Sequence, residues 1–158
     1  MDYTTEFRGS FQLDKPLDPT TAALINGLCR IRRMKRDLTK LGMSQTEADR
    51  YGIDGEFFVS DNGINNDASI LDYNLPPSTQ PSRWLHWHYN DQQQCIQWDS
   101  NENFYGYVEW LEYLIAKILA PNYVLNGTVT YQGDDFEDRG FIAVQDNKVN
   151  FVYHDRNS

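Results

Sequence analysis

Apolar positions step along this chain in two periods. Near the start Phe7, Phe11 and Leu13 are separated by even steps, the alternation of a half-buried strand, and the pattern stops at Asp14-Lys15-Pro16. Ala22, Ile25, Leu28 and Ile31 then recur at three-residue spacing, which predicts a helix. Asp18 suits its N-cap, and Pro19 suits the first helical position, where a missing N–H has no intrahelical partner to lose. From Arg30 the text RIRRMKRD changes character: five cations in seven residues repel one another along a helix. The helix is expected to end or bend near Arg32 to Lys35, with room for a second short helix toward Leu41.

The next apolar run, around Glu56 to Ser60, reads as a strand bounded by turn residues. An irregular stretch from Asp61 to Ser82 follows, interrupted by Pro76, Pro77 and Pro81; loops this long tend to be functional or mobile. SRWLHWHYNDQQQCIQWD predicts a hairpin, with strands Trp84 to Tyr89 and Cys95 to Trp98 around a turn near Asn90-Asp91. Alternation places Trp84, His86 and His88 on one side and Leu85, Trp87 and Tyr89 on the other.

A long helix is expected from a Ser100 or Asn101 cap to Pro121, with Phe104, Val108, Leu111, Ile115 and Ile118 on its apolar face. The chain then closes as a meander: Tyr123 to Gln132, an acidic turn, Phe141 to Gln145, a tight Asp146-Asn147 turn, and Val149 to Tyr153. The composite is a single α+β domain, residues 1–158, with an antiparallel sheet carrying two main helices packed on one face.

Composition supports a packed core, since 40% of the residues are apolar and 10 Tyr, 8 Phe and 4 Trp are among them. Cys29 and Cys95 lie far apart and match no metal-binding or disulfide spacing, so reduced thiols are expected. No apolar run is long enough to span a membrane, and MDYTTEFRGS lacks the basic start and apolar stretch of a secretion signal. Charge is unevenly distributed. Residues 1–50 carry nine Lys or Arg against seven Asp or Glu, a balance of +2, whereas residues 51–158 carry five against sixteen, a balance of −11. Such a field repels phosphate backbones and attracts basic protein surfaces, which argues against broad nucleic-acid binding.

Three constellations are candidates for function. Asp134, Asp135, Glu137 and Asp138 put four carboxylates into five positions. GDDFEDRG is too short to wrap calcium, which takes about six to eight oxygens, and a polar hairpin tip offers no desolvated cleft for acid and base work. A solvated turn or a partner-contacting surface remains, joined on the second reading by Asp61, Asp67 and Asp72. His86 and His88, at i and i+2 of a strand, could share an ion, although zinc needs further ligands and a general base needs an orienting acid; no such partner is identifiable, and packing between aromatics is the plainer role. Arg30, Arg32, Arg33, Lys35 and Arg36 could grip phosphates or an acidic protein, or neutralise the chain's own acidic half. Gly-rich phosphate loops and nucleophile motifs are absent, so no enzyme and no cofactor is expected.

The stretches F-x-G-x-F-x-L-x-x-P-L, P-S-R-W-L-H-W, I-Q-W-D, F-Y-G-Y-V-E-W-L-E-Y-L-I, L-N-G-T-V-T-Y-Q-G-D-D and G-F-I-A-V-Q-D-N-K-V together resemble a family of small uncharacterised acidic proteins encoded by bacteriophages and prophages. The resemblance covers most of Phe7 to Val149 and transfers no catalytic residue. It implies a setting, the cytoplasm of an infected bacterial host. It also implies a mode of action: binding a host or defence protein with a basic surface, as inhibitors of restriction and CRISPR systems do. The alternatives are a small-ligand binder or metal-dependent enzyme built on the His86/His88 hairpin, and a nucleotide or nucleic-acid binder using Arg30 to Arg36.

Overall fold

A computed structural model of the chain describes residues 3–37, 40, 50–59 and 70–153. Eight strands occur among them: β1 (Thr5–Leu13), β2 (Lys35–Arg36), β3 (Ile70–Asp72), β4 (Trp87–Asn90), β5 (Cys95–Trp98), β6 (Leu125–Gly133), β7 (Arg139–Gln145) and β8 (Lys148–Tyr153). Six of them form one antiparallel sheet in the order β4-β5-β1-β6-β7-β8, and β2 pairs with β3 in a small second sheet. Helix α1 (Pro19–Arg30) follows β1, and α2 (Tyr107–Leu114) precedes β6 and runs on into a π-helical turn, Ile115–Leu119. The fold is α+β.

The alternation in β1 decides which face of the sheet is covered. Phe7, Phe11 and Leu13 point into the core beside Val129, Tyr131 and Leu125 of β6, while Glu6, Arg8 and Gln12 face out. Phe7 sits at the centre of an aromatic cluster, in edge-on contact with Trp87, Trp98, Phe104 and Tyr107. Trp110, Leu111 and Leu114 of α2 bury against the same face. β1 and β6 approach closely enough to exclude a side chain at Gly127, whose φ is 148° and whose added Cβ would lie 2.7 Å from the Ser10 carbonyl oxygen.

α1 forms as its caps predict. The Asp18 side chain accepts from the Thr21 amide, Pro19 opens the first turn, and Ile25, Leu28 and Ile31 are buried. The helix also seals an edge of the sheet. Asn26 Oδ1 accepts from the Tyr89 amide and its Nδ2 donates to the Tyr89 carbonyl, while Cys29 Sγ donates to the Trp87 carbonyl. Main-chain groups that the edge strand β4 would otherwise offer to another chain are satisfied in this way. At the other end of the sheet, Asp146 and Asn147 both adopt positive φ, 49° and 69°, the backbone of a type I′ two-residue hairpin.

Two expectations fail. Glu56 to Ser60 form no strand: Ile53–Gly55 is a short 3-10 turn, residues 56–59 are irregular, and Ser60 lies outside the described residues. α2 begins at a Gly106 N-cap, six residues past Ser100. Ser100 and Asn103 take left-handed φ, and Asp99 Oδ1 accepts from the Asn101 amide, so the residues that look like caps shape a turn instead. The chain leaves α1 into β2, and most of the segment toward Leu41 lies outside the described residues. Among the described residues no helix is long and apolar enough to cross a membrane.

Candidate functional site

The acidic turn joins β6 to β7, and its residues Asp134 to Glu137 are exposed. Its backbone is nevertheless held tightly. Gly133 N donates to the Asp138 carbonyl at 2.7 Å, and the Gln132 side-chain amide donates to the carbonyls of Gly133, Asp135 and Phe136. The start of the chain is tied in as well. The Tyr3 hydroxyl donates to Asp138 Oδ2 and accepts from the Asp135 amide, and the Thr4 amide donates to Asp134 Oδ2. Its hydrogen bond to Asp138 holds the Tyr3 phenol above its usual range.

Asp134 and Asp138 therefore do local structural work. Asp134, Asp135 and Glu137 are exposed, and Asp138 is half-buried. Between them stands Phe136, 66% exposed, with the Arg139 guanidinium 4.4 Å above its ring. The sequence offers a signal for it, a lone aromatic inside a polar turn, but attention to the carboxylates hides it. Of the other acids assigned to this surface, Asp72 is half-buried in β3 and accepts from the Asn74 amide, and Asp61 and Asp67 lie outside the described residues.

The five cations of the Arg30 to Arg36 run do not form one surface patch. Arg30 is exposed, but Arg33 is 2% exposed and Arg36 6%. Arg33 Nε donates to Gln80 Oε1, Nη1 to the Phe58 carbonyl, and Nη2 to the carbonyls of Gly55 and Glu56. Gln80 Nε2 returns to the Glu56 carbonyl, and Glu56 Oε2 accepts from the Tyr113 hydroxyl and Thr79. One buried guanidinium thus fastens the irregular segment at residues 55–58, the proline-rich segment and α2 together, and burial lowers its pKa to about 10. Arg32 lies over the Tyr73 ring and donates to its carbonyl, and Arg36 lies over Phe58. Lys35 is half-buried in β2, opposite Asp72.

The two histidines separate. His88 hydrogen-bonds Gln97 and borders a shallow depression with Asn26, Cys29, Trp84 and Asp99. His86, 7% exposed, lines a different cleft of about 720 Å³ with Trp84, Ser82, Asn74, Glu102 and Tyr105. Its Nδ1 lies 3.1 Å from Asp99 Oδ2. Asp99 is the orienting acid that sequence reasoning does not identify, and the hairpin register would have located it: Trp87 pairs with Trp98, so one further step sets His86 opposite Asp99. The Asp99 amide does donate to the His86 carbonyl. Burial pushes the Asp99 carboxyl up, but hydrogen bonds from His86 and the Asn101 amide outweigh it and leave the group below its usual range.

Cys29 borders the neighbouring depression together with Asp99. Burial raises the Cys29 thiol far above the range in which it ionises at neutral pH, and its Sγ is occupied with the Trp87 carbonyl. Among the described residues no group of three or more His, Cys, Asp or Glu is placed to hold a metal ion. His154 lies outside those residues. Compared with protein-family models, with curated proteins and with solved structures, the chain matches none of them.

Proposed function

We propose that the protein is a non-enzymatic binding module that docks a basic surface of a host or defence protein through the β6–β7 turn. The observation that carries this reading is Phe136: an aromatic ring 66% exposed on a turn whose backbone is fixed by hydrogen bonds and whose flanks are the exposed acids Asp134, Asp135 and Glu137. An aromatic anchor held in place before binding loses little conformational freedom on contact, and anchors of this kind dominate interface energetics. The surrounding carboxylates, within a region of balance −11, steer a positively charged partner toward it. The resemblance to phage-encoded proteins makes a bacterial nuclease of a restriction or CRISPR system the partner class to try first.

The test is surface plasmon resonance against candidate host nucleases at roughly 50 to 500 mM salt, across which the screening length shortens severalfold. Phe136→Ala should weaken binding about tenfold or more at every salt concentration. A D134N/D135N/E137Q variant should slow association and flatten the salt dependence. Binding indifferent to both variants, or failure to bind any such nuclease, contradicts the proposal.

A further inference from the structure

The cleft beside His86 has features that the docking proposal leaves unused. Its volume of about 720 Å³ falls within the roughly 300–1,000 Å³ of small-molecule sites. Its floor is a buried imidazole fixed on one side. Asp99 takes Nδ1 and is itself held by the Asn101 amide, so Nε2 is the ring nitrogen left for the cleft. An ionised carboxylate only accepts, which places the ring proton on Nδ1; in the neutral ring Nε2 is then an acceptor waiting for an N–H or O–H.

The walls add shape. Trp84 and His86 sit at alternate positions of one extended segment, and their rings are parallel to within 4° with centroids 6.4 Å apart. Two parallel rings just ahead of β4 define an orientation for a flat ligand. Phe104 packs edge-on against the imidazole and keeps it from rotating. Pro76, Pro81 and Tyr105 supply apolar wall, and Asn74 and Glu102 supply polar groups. The segment that brings Glu102 and Asn103 to the wall is bracketed by two non-glycine residues at left-handed φ, Ser100 at 69° and Asn103 at 64°. Backbone of that kind persists where the surroundings over-determine it, and it gathers at functional sites.

Charge narrows the ligand. Arg83 and Glu102 on the cleft wall offset each other, and the net charge of −9 over the whole chain disfavours a phosphate-bearing molecule. We propose that this cleft binds an uncharged planar heteroaromatic ring, a nucleobase or its nucleoside, stacked on Trp84 and donating a hydrogen bond from its edge to His86 Nε2. Asp99 is a positioning residue in this site: it sets the imidazole and does not touch the ligand.

The experiment is calorimetry with a 1H–15N NMR titration of the full chain against adenosine, guanosine, cytidine and uridine, each beside its 5′-monophosphate and a methyl glucoside control. At least one nucleoside should bind saturably with a Kd below about 1 mM, more tightly than its monophosphate, and shift the Trp84 indole N–H. Trp84→Ala and His86→Ala should each weaken it roughly fivefold or more, and Trp84→Phe, which retains a stacking face, should weaken it less. Asp99→Asn, whose amide oxygen can still accept from Nδ1–H, should keep more affinity than Asp99→Ala. Absence of nucleoside binding up to about 5 mM overturns the proposal. So does binding of the glucoside alone, or nucleoside binding that survives Trp84→Ala in a chain with unchanged thermal unfolding. Should His86→Ala fail to fold, Trp84→Phe and the wild-type shift map still decide.

Discussion

Two charged runs of similar density meet opposite fates in this molecule. Arg30 to Arg36 carries five cations in seven residues, and Asp134 to Asp138 carries four acids in five. The cations leave the end of α1 and pass beneath segments that have little regular structure, so Arg33 and Arg36 are turned inward and buried. Arg33 then serves the main-chain carbonyls of Gly55, Glu56 and Phe58 in a segment that no sheet pairs. The acids stand at a hairpin end tied to the start of the chain, and three of the four are exposed. Charge density along a sequence therefore says little about where the charge acts; what lies over it in the fold decides.

The sharpest way to break this contrast is to remove the buried cation. Arg33→Met keeps much of the volume but removes the Arg33 hydrogen bonds to the Phe58 carbonyl and the Gln80 amide oxygen and one each from the Gly55 and Glu56 carbonyls, and should cost about 3 kcal/mol or more by urea denaturation. A loss below about 1 kcal/mol would mean the node is not a fastening point. Tyr113→Phe takes one hydroxyl from the same network, the one that meets Glu56 and Gln80, and should cost about 1 kcal/mol.

Asp18 sharpens the comparison from the acidic side, because it is an exposed carboxylate with a structural task. Hydrogen bonds from Tyr123 first, then from the Thr21 amide and hydroxyl, depress its pKa from 3.8 to about 2. A depressed carboxylate contributes stability that is fully present above its unfolded pKa and lost as pH falls through its folded one. Asp18→Asn should therefore flatten the acid limb of the stability profile between about pH 4 and pH 2. The smallest effect belongs to the turn: D134N/D135N/E137Q should change stability by no more than about 0.5 to 1 kcal/mol, because all three side chains are exposed and the amide that replaces the Asp134 carboxylate keeps an acceptor for the Thr4 contact.

Much of the fold was legible where local signals agreed with tertiary packing. The Asp18-Pro19 cap, the even steps of β1 and the Asp146-Asn147 turn appear as expected, and the Trp-rich hairpin forms with its first strand starting at Trp87 instead of Trp84. Legibility ended where a residue type serves two ends. Ser100 and Asn101 have the chemistry of helix caps, yet here they shape the turn that holds Asp99. Phe57, Phe58 and Val59 have strand composition, yet they belong to a segment fastened by Arg33, a contact set by residues far away in sequence. The candidate sites follow the same rule. His86 was visible as a residue, but Asp99 becomes its partner only through strand register, and Phe136 emerges only when the turn around it is seen to be fixed.

The most direct test of the account is residue-resolved covalent labelling of carboxylates and guanidinium groups, on the chain alone and in complex with a host nuclease that binds it. The account predicts that Asp134, Asp135 and Glu137 react quickly when free and are shielded on binding, while Arg33 stays unreactive in both states. Shielding that falls elsewhere and leaves the turn unchanged, or an Arg33 that reacts in the free chain as fast as the exposed Arg30, would contradict it.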